Sequence, residues 1–94
     1  MYNISIEFEY DPEKSKANRH KHGISFDEAK EIWMSSHADM DTKTVSEVRR
    51  MVIGPVCGKM YTCVYTYRNG KVRIISARRS RPEEERIYHE RVEK

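Results

Sequence analysis

Two cysteines, three prolines, four glycines and one tryptophan are spread over 94 residues, and these scarcities exclude several kinds of protein. Cys57 and Cys63 are too few to staple a secreted fold, so reduced thiols and a cytoplasmic location are expected. No stretch of about 18 apolar residues exists to span a membrane, and the first residues lack the charged-then-apolar pattern of a secretory signal. Internal repeats, low-complexity tracts and linker-like composition are missing too, which predicts a single domain over residues 1–94. There is no helix-turn-helix or RNA-recognition signature, which argues against a plain nucleic-acid-binding module. What remains is a lean core, 37% hydrophobic, under a surface to which 35% charged residues contribute. The net charge of +3 permits a nucleic-acid or acidic-protein partner without requiring one.

Residues 4–10 alternate, with Ile4, Ile6, Phe8 and Tyr10 on one side, as in a half-buried strand. Asp11-Pro12 then supplies an N-cap and a first-turn proline for a helix that ends at Gly23 with Arg19, His20, Lys21 and His22 in its last turn. Ser25 and Glu28 have capping-box spacing for a second helix, whose Phe26, Ala29, Ile32 and Trp33 share one face. Residues 37–44 read as a polar loop. Three strands follow, over residues 47–53, closed by Gly54-Pro55, then 59–68 and 71–79; Asn69-Gly70 between the last two is a strong hairpin signal. A charged helix over residues 81–92 closes the chain, and Ser80 with Glu83 has the spacing of its capping box. The order β-α-α-β-β-β-α predicts an α+β fold, an antiparallel sheet with helices packed mainly on one face.

A two-residue turn sets the register of the last hairpin: Arg68 faces Lys71, Thr66 faces Arg73, Val64 faces Ile75 and Met60 faces Arg79. One face then carries Thr62, Val64, Thr66, Arg73, Ile75, Ala77 and Arg79, and the other Tyr61, Cys63, Tyr65, Tyr67, Val72, Ile74, Ser76 and Arg78. The second face is the more apolar and is assigned to the helices. Arg78-Arg79, where a strand ends and a helix begins, make a phosphate-handling corner, because helix starts attract anions and guanidinium forks fit phosphate oxygens. The plainer alternative is a solvated helix start whose arginines pair with Glu83, Glu84 and Glu85.

These residues resemble the BrnT family of type II toxins. The resemblance lies in Phe8-Glu9-Tyr10-Asp11, Lys14, Asn18, Lys21-His22-Gly23, Phe26 and Glu28-Ala29; in Glu47, Arg49 and Ile53-Gly54; and in Val64-Tyr65-Thr66, the run from Arg73 to Arg79, Glu84 and Tyr88. It implies a RelE-like fold, a ribonuclease that arrests translation, and neutralisation by a BrnA-like antitoxin, with a heterotetramer formed through antitoxin dimerisation. The departures are Tyr10, where the family usually has Trp, and Arg81 and Glu85, near which it usually has a hydroxyl cap and a basic residue.

A ribonuclease that uses no metal must deprotonate a 2′-hydroxyl, stabilise an anionic phosphorane and protonate the leaving 5′-oxygen. Arg79, Arg73 and His22 are the candidate catalytic residues, the two arginines sharing a face in the register above and His22 serving as proton carrier. Arg78, Lys21 and Arg49 are the candidate substrate contacts. Each has an alternative: His22 as a helix C-terminal cap, Lys21 as a solvated charge, Arg49 in a cross-strand ion pair with Glu47. The tyrosines read as core rather than as base-stacking platforms. No cofactor and no metal-ligand set is expected, since His20 and His22 point to different sides of their helix. A second function shares the same fold: a non-catalytic subunit that binds its antitoxin and tunes repression of their operon.

Overall fold

A computed structural model describes residues 6–42 and 49–92. Its elements are β1 (Phe8–Glu9), α1 (Pro12–His22), α2 (Phe26–Ala29) running into a 3-10 turn (Lys30–Met34), β2 (Ala38–Asp41), β3 (Arg50–Val56), β4 (Lys59–Arg68), β5 (Lys71–Arg79) and α3 (Pro82–Val92). The fold is α+β. Five strands lie in the order β1-β5-β4-β3-β2, and β1 runs parallel to β5 while all other pairs are antiparallel. The sheet is therefore mixed rather than purely antiparallel.

The helices divide between its faces. Ile24, Phe26, Ala29 and Ile32 from the α1–α2 region pack on Val52, Val56, Cys63, Tyr65, Val72, Ile74 and Ala77, the main core. On the opposite face Tyr88 of α3 packs on Ala38 and Ile53, with Met40, Met60, Ile87 and Val92 around them. α2 and the 3-10 turn thus cover the tyrosine face, as its apolar content predicts, and the charged α3 covers one end of the other.

Several local expectations hold for visible reasons. Asp11 accepts a bond from the Glu13 amide at 2.9 Å, Gly23 closes α1 at φ 77°, and Ser25 and Glu28 form a reciprocal capping box. Asn69 and Gly70 both have positive φ, which suits the two-residue hairpin.

Others are corrected. The expected loop over 37–44 contains β2, whose Ala38 and Met40 face α3 while Arg50 pairs with both Asp39 and Asp41; the two acids hide the strand from propensity, and one arginine offsets them. The third strand does not end at Gly54-Pro55 but runs to Val56 and turns at Cys57-Gly58. Pro55 is tolerated because it stands past the end of β2, where β3 has only β4 beside it. At Gly54 a Cβ would come within 3.0 Å of Ile32 Cγ2 and 3.3 Å of His37 Cβ. The cap of α3 is also displaced by one residue: Arg81 precedes the helix, and Glu84, not Glu83, reaches back to its amide at 2.8 Å. Residues 4 and 5 of the first predicted strand, 43 and 44 of the predicted loop, and 47 and 48 of the second predicted strand lie outside the described residues.

Candidate active site

The β4–β5 register keeps its predicted start and loses its predicted end. Arg68 faces Lys71 and Thr66 faces Arg73, but a bulge between Val64 and Tyr65 leaves Ile75 unpaired, so Val64 faces Ser76 and Tyr61 faces Arg79. Side chains alternate along a strand, so one extra residue exchanges the two faces for everything beyond it. Ala77 and Arg79 join Tyr61, Cys63 and Tyr65 on the α1 side; Ser76 and Arg78 join Thr62 and Val64 on the α3 side. Arg73 and Arg79 therefore do not share a face, and six residues of strand separate them by about 20 Å. One phosphate cannot touch both.

The same bulge brings Arg79 toward α1. β1 pairs with β5 only at Phe8–Val72 and Glu9–Arg73, which leaves the outer edge of β5 open further along. There Asn18, buried on α1, donates through Nδ2 to the Ala77 carbonyl at 2.9 Å and accepts from the Ala77 amide at 3.3 Å. Its carboxamide also donates to the Ile24 carbonyl at 2.8 Å, tying in the chain that follows Gly23. The Glu9–Arg73 pairing before α1 and the Asn18–Ala77 bonds within it make α1 advance along β5 in the same sense. His22 stands one helical turn, about 6 Å, beyond Asn18, and Arg79 stands two strand residues, about 7 Å, beyond Ala77. Lys21 and His22, in the last turn of α1, and Arg79, the last residue of β5, thus lie toward the same end of the sheet, all exposed.

Arg79 is held at its base and free at its tip. Its guanidinium lies 5.7 Å from the ring centroid of Tyr61, which packs on the main core, and Nε donates to the Met60 carbonyl at 3.3 Å. The two terminal nitrogens have no protein partner among the described residues. His22 makes no bond to a helix carbonyl; the capping bond comes from the Gly23 amide to Arg19 at 2.8 Å, so the capping role proposed for His22 is filled by the backbone. Beside them Arg19 pairs with Glu28 at 3.0 Å.

Arg78 has a different office. Both its terminal nitrogens bond the two oxygens of Glu84 at 2.8 Å, and Glu84, 5% exposed, also accepts from Thr62 Oγ1 at 3.0 Å and from the Arg81 amide. Burial pushes the Glu84 carboxyl up, but the bonds from Arg78, the Arg81 amide and Thr62 outweigh it and hold the group down at about 2. The same bonds raise Arg78 above the ordinary arginine range. Arg78 joins β5 to α3, and of the two adjacent arginines only Arg79 faces outward unneutralised.

Arg73 pairs with Glu9 at 2.9 Å, the two standing opposite each other across the parallel β1–β5 contact. With Lys14, Arg49, Thr66, Arg68 and Ile75 it lines a basic trough on the face opposite Arg79. Arg49 is thus brought together with Arg73 and apart from Arg79. Arg68 had no mark beyond its register with Lys71, since single arginines carry no spacing signal, and Lys14 was visible only as part of the family resemblance. Asn18 was visible only as part of the family resemblance.

No curated protein sequence matches the chain. The family described as "Ribonuclease toxin, BrnT, of type II toxin-antitoxin system" matches residues 10–84, which include α1, the whole β4–β5 hairpin, Arg79 and Glu84. The chain belongs to this family of ribonuclease toxins.

Proposed function

We propose that this protein is an endoribonuclease that cleaves RNA without a metal, arrests translation and is held in check by a BrnA-like antitoxin, assembled as a heterotetramer through antitoxin dimerisation. The observation that carries the catalytic part is Arg79, anchored through Nε and the Tyr61 ring, with its terminal nitrogens unengaged at the end of the sheet where α1 presents His22 and Lys21. In this scheme His22 takes the proton of the 2′-hydroxyl, the 2′-oxygen attacks phosphorus, and the bond from phosphorus to the 5′-oxygen breaks. Water supplies a proton to that oxygen and His22 returns its own to solvent, leaving a 2′,3′-cyclic phosphate. Arg79 stabilises the charge that builds on the non-bridging oxygens, and Lys21 steadies the phosphate. Arg73 and Arg49 hold the strand elsewhere, in the trough.

The neutralisation of Arg73 by Glu9 and of Arg78 by Glu84 favours the second reading, a non-catalytic subunit that binds antitoxin and tunes its operon. The purified chain, freed of antitoxin, is incubated with single-stranded RNA with and without EDTA. Cleavage that survives EDTA and leaves cyclic phosphate ends is expected. An inert chain would leave only the second reading, and activity abolished by EDTA would overturn the metal-free scheme.

A further inference from the structure

Tyr67 does not behave as the other central tyrosine does. Tyr65 is fully buried, while Tyr67, two residues on and facing the same way, is 61% exposed. Its ring is held edge-on against Tyr65, with centroids 5.6 Å apart at 86°, and Tyr65 in turn meets Trp33 at 5.2 Å. Tyr67, Trp33, His37, Val72, Gly70 and Glu7 line a cleft of about 380 Å³ on the main-core side of the sheet. That lies within the size range of small-ligand sites, roughly 300–1,000 Å³. His37 donates from Nδ1 to the Ser35 carbonyl at 2.8 Å, so in its neutral form Nε2 is left as an acceptor. Asp39, though it lines the cleft, has both oxygens occupied, by Arg50 and by the Tyr65 hydroxyl.

The position of Tyr67 gives the cleft its meaning. The same residue also lines the basic trough of Lys14, Arg49, Arg68 and Arg73 on the other face. An aromatic seat and a cationic channel thus meet at one hairpin end, across Asn69-Gly70. A strand of nucleic acid uses both: cations for its phosphates and an aromatic face for an unstacked base. Duplex cannot use such a seat without unpairing.

We infer that the cleft between Tyr67 and Trp33 seats one unpaired nucleobase of single-stranded RNA whose backbone lies in the Lys14–Arg68–Arg73 trough. This rests on the ribonuclease proposal and specifies how the substrate is held away from the reacting phosphate. Stacking accepts any base, and His37 Nε2 favours those that present an exocyclic amino group.

The chain carries a single tryptophan, Trp33, so the cleft has its own fluorescent reporter. The test titrates the full chain with a 2′-O-methyl oligoribonucleotide, which lacks the nucleophile and cannot be cut, and with an abasic oligomer of the same length. Base-bearing RNA should quench Trp33 and the abasic oligomer should not. Tyr67→Ala should weaken binding of the base-bearing oligomer by about 5- to 150-fold without changing the salt dependence, and Tyr67→Phe should restore it. Arg68→Gln should instead lower the slope of log affinity against log salt by about 0.7 and keep the quenching. Equal affinities for the two oligomers, with Tyr67→Ala indifferent to both, would overturn the inference while cleavage by the wild type still upheld the ribonuclease. A wild type that neither bound nor cut RNA would remove both. A Tyr67→Ala variant that lost antitoxin and kept RNA would make the cleft a protein contact and overturn the inference.

Discussion

Asn18 on α1 bonds both main-chain groups of Ala77 on β5, donating to the carbonyl at 2.9 Å and accepting from the amide at 3.3 Å. A side-chain amide thereby stands in for the strand that β1 is too short to provide, and it sets where the basic end of α1 falls along the sheet. Both groups are buried, so no water offers an equivalent exchange.

Asn18→Ala should cost about 2–3 kcal/mol, since it leaves the Ala77 amide, the Ala77 carbonyl and the Ile24 carbonyl without this partner. Urea unfolding of the two proteins measures it, and the midpoint should fall with little change in slope. An unchanged midpoint would mean that water replaces the carboxamide and that α1 is positioned by its apolar contacts instead.

Arg79→Ala should slow RNA cleavage by about 10²-fold, the loss seen when one donor to a developing oxyanion is removed. Stability should change by no more than about 1 kcal/mol, because the lost contacts are an exposed stack on Tyr61 and one long hydrogen bond. Arg73→Ala should act differently, weakening RNA binding and its salt dependence more than the cleavage rate at saturating RNA. Single-turnover kinetics separate the two effects. If Arg73→Ala and Arg79→Ala lowered the rate alike, the reacting phosphate would have to lie elsewhere.

His22→Gln should reduce the cleavage rate by about 10²-fold or more and remove the acidic limb of the pH–rate profile, since the neutral ring is the base in the proposed scheme. Its melting temperature should stay close to that of the wild type, because His22 is exposed and the helix end is capped by Gly23. A variant that kept the acidic limb would assign the proton to another group.

Glu84 makes stability depend on pH in a defined window. Its folded-state value of about 2 lies below the 4.5 of an unperturbed glutamate, so the charged form is the one the fold favours. The contribution is complete above about 4.5, declines as the pH falls, and is gone below about 2. The difference corresponds to stability on the order of 3 kcal/mol at neutral pH. Glu84→Gln should be less stable than the wild type at pH 7 and lose less on acidification from pH 5 to pH 2. Parallel acid-unfolding curves for the two proteins would place the dependence on other carboxylates.

Gly54→Ala should destabilise by about 1–3 kcal/mol, because the added methyl meets Ile32 Cγ2 at 3.0 Å and His37 Cβ at 3.3 Å in a packed core. Thermal unfolding would show it. A neutral result would mean that the 3-10 turn shifts away from β3 at little cost.

Local chemistry made much of this protein legible from its sequence. Asp11-Pro12, Gly23 and the Ser25–Glu28 box bound α1 and α2 because capping depends on residues within one turn of each other. Asn69-Gly70 set the first four pairs of the β4–β5 hairpin because both positions take positive φ. The cations at the end of α1 and of β5 were equally visible, as was the resemblance that the match over residues 10–84 upholds. What the tertiary structure decided is which of those cations meet. Ile75 has no local mark of a bulge, being as β-branched as its neighbours, yet leaving it unpaired lets Ile74 and Ala77 both face the main core and turns Arg79 from Arg73 toward α1. Glu83 had the spacing of the capping box and Glu84 was marked only by the resemblance, yet the packing of α3 on the sheet set Glu84, and not Glu83 or Glu85, against Arg78 and Thr62. Strand alternation and helix periodicity act over a few residues, whereas register across a sheet and the pairing of buried charges are settled by the whole core at once, and it is there that the two arginines of one dipeptide acquired different roles.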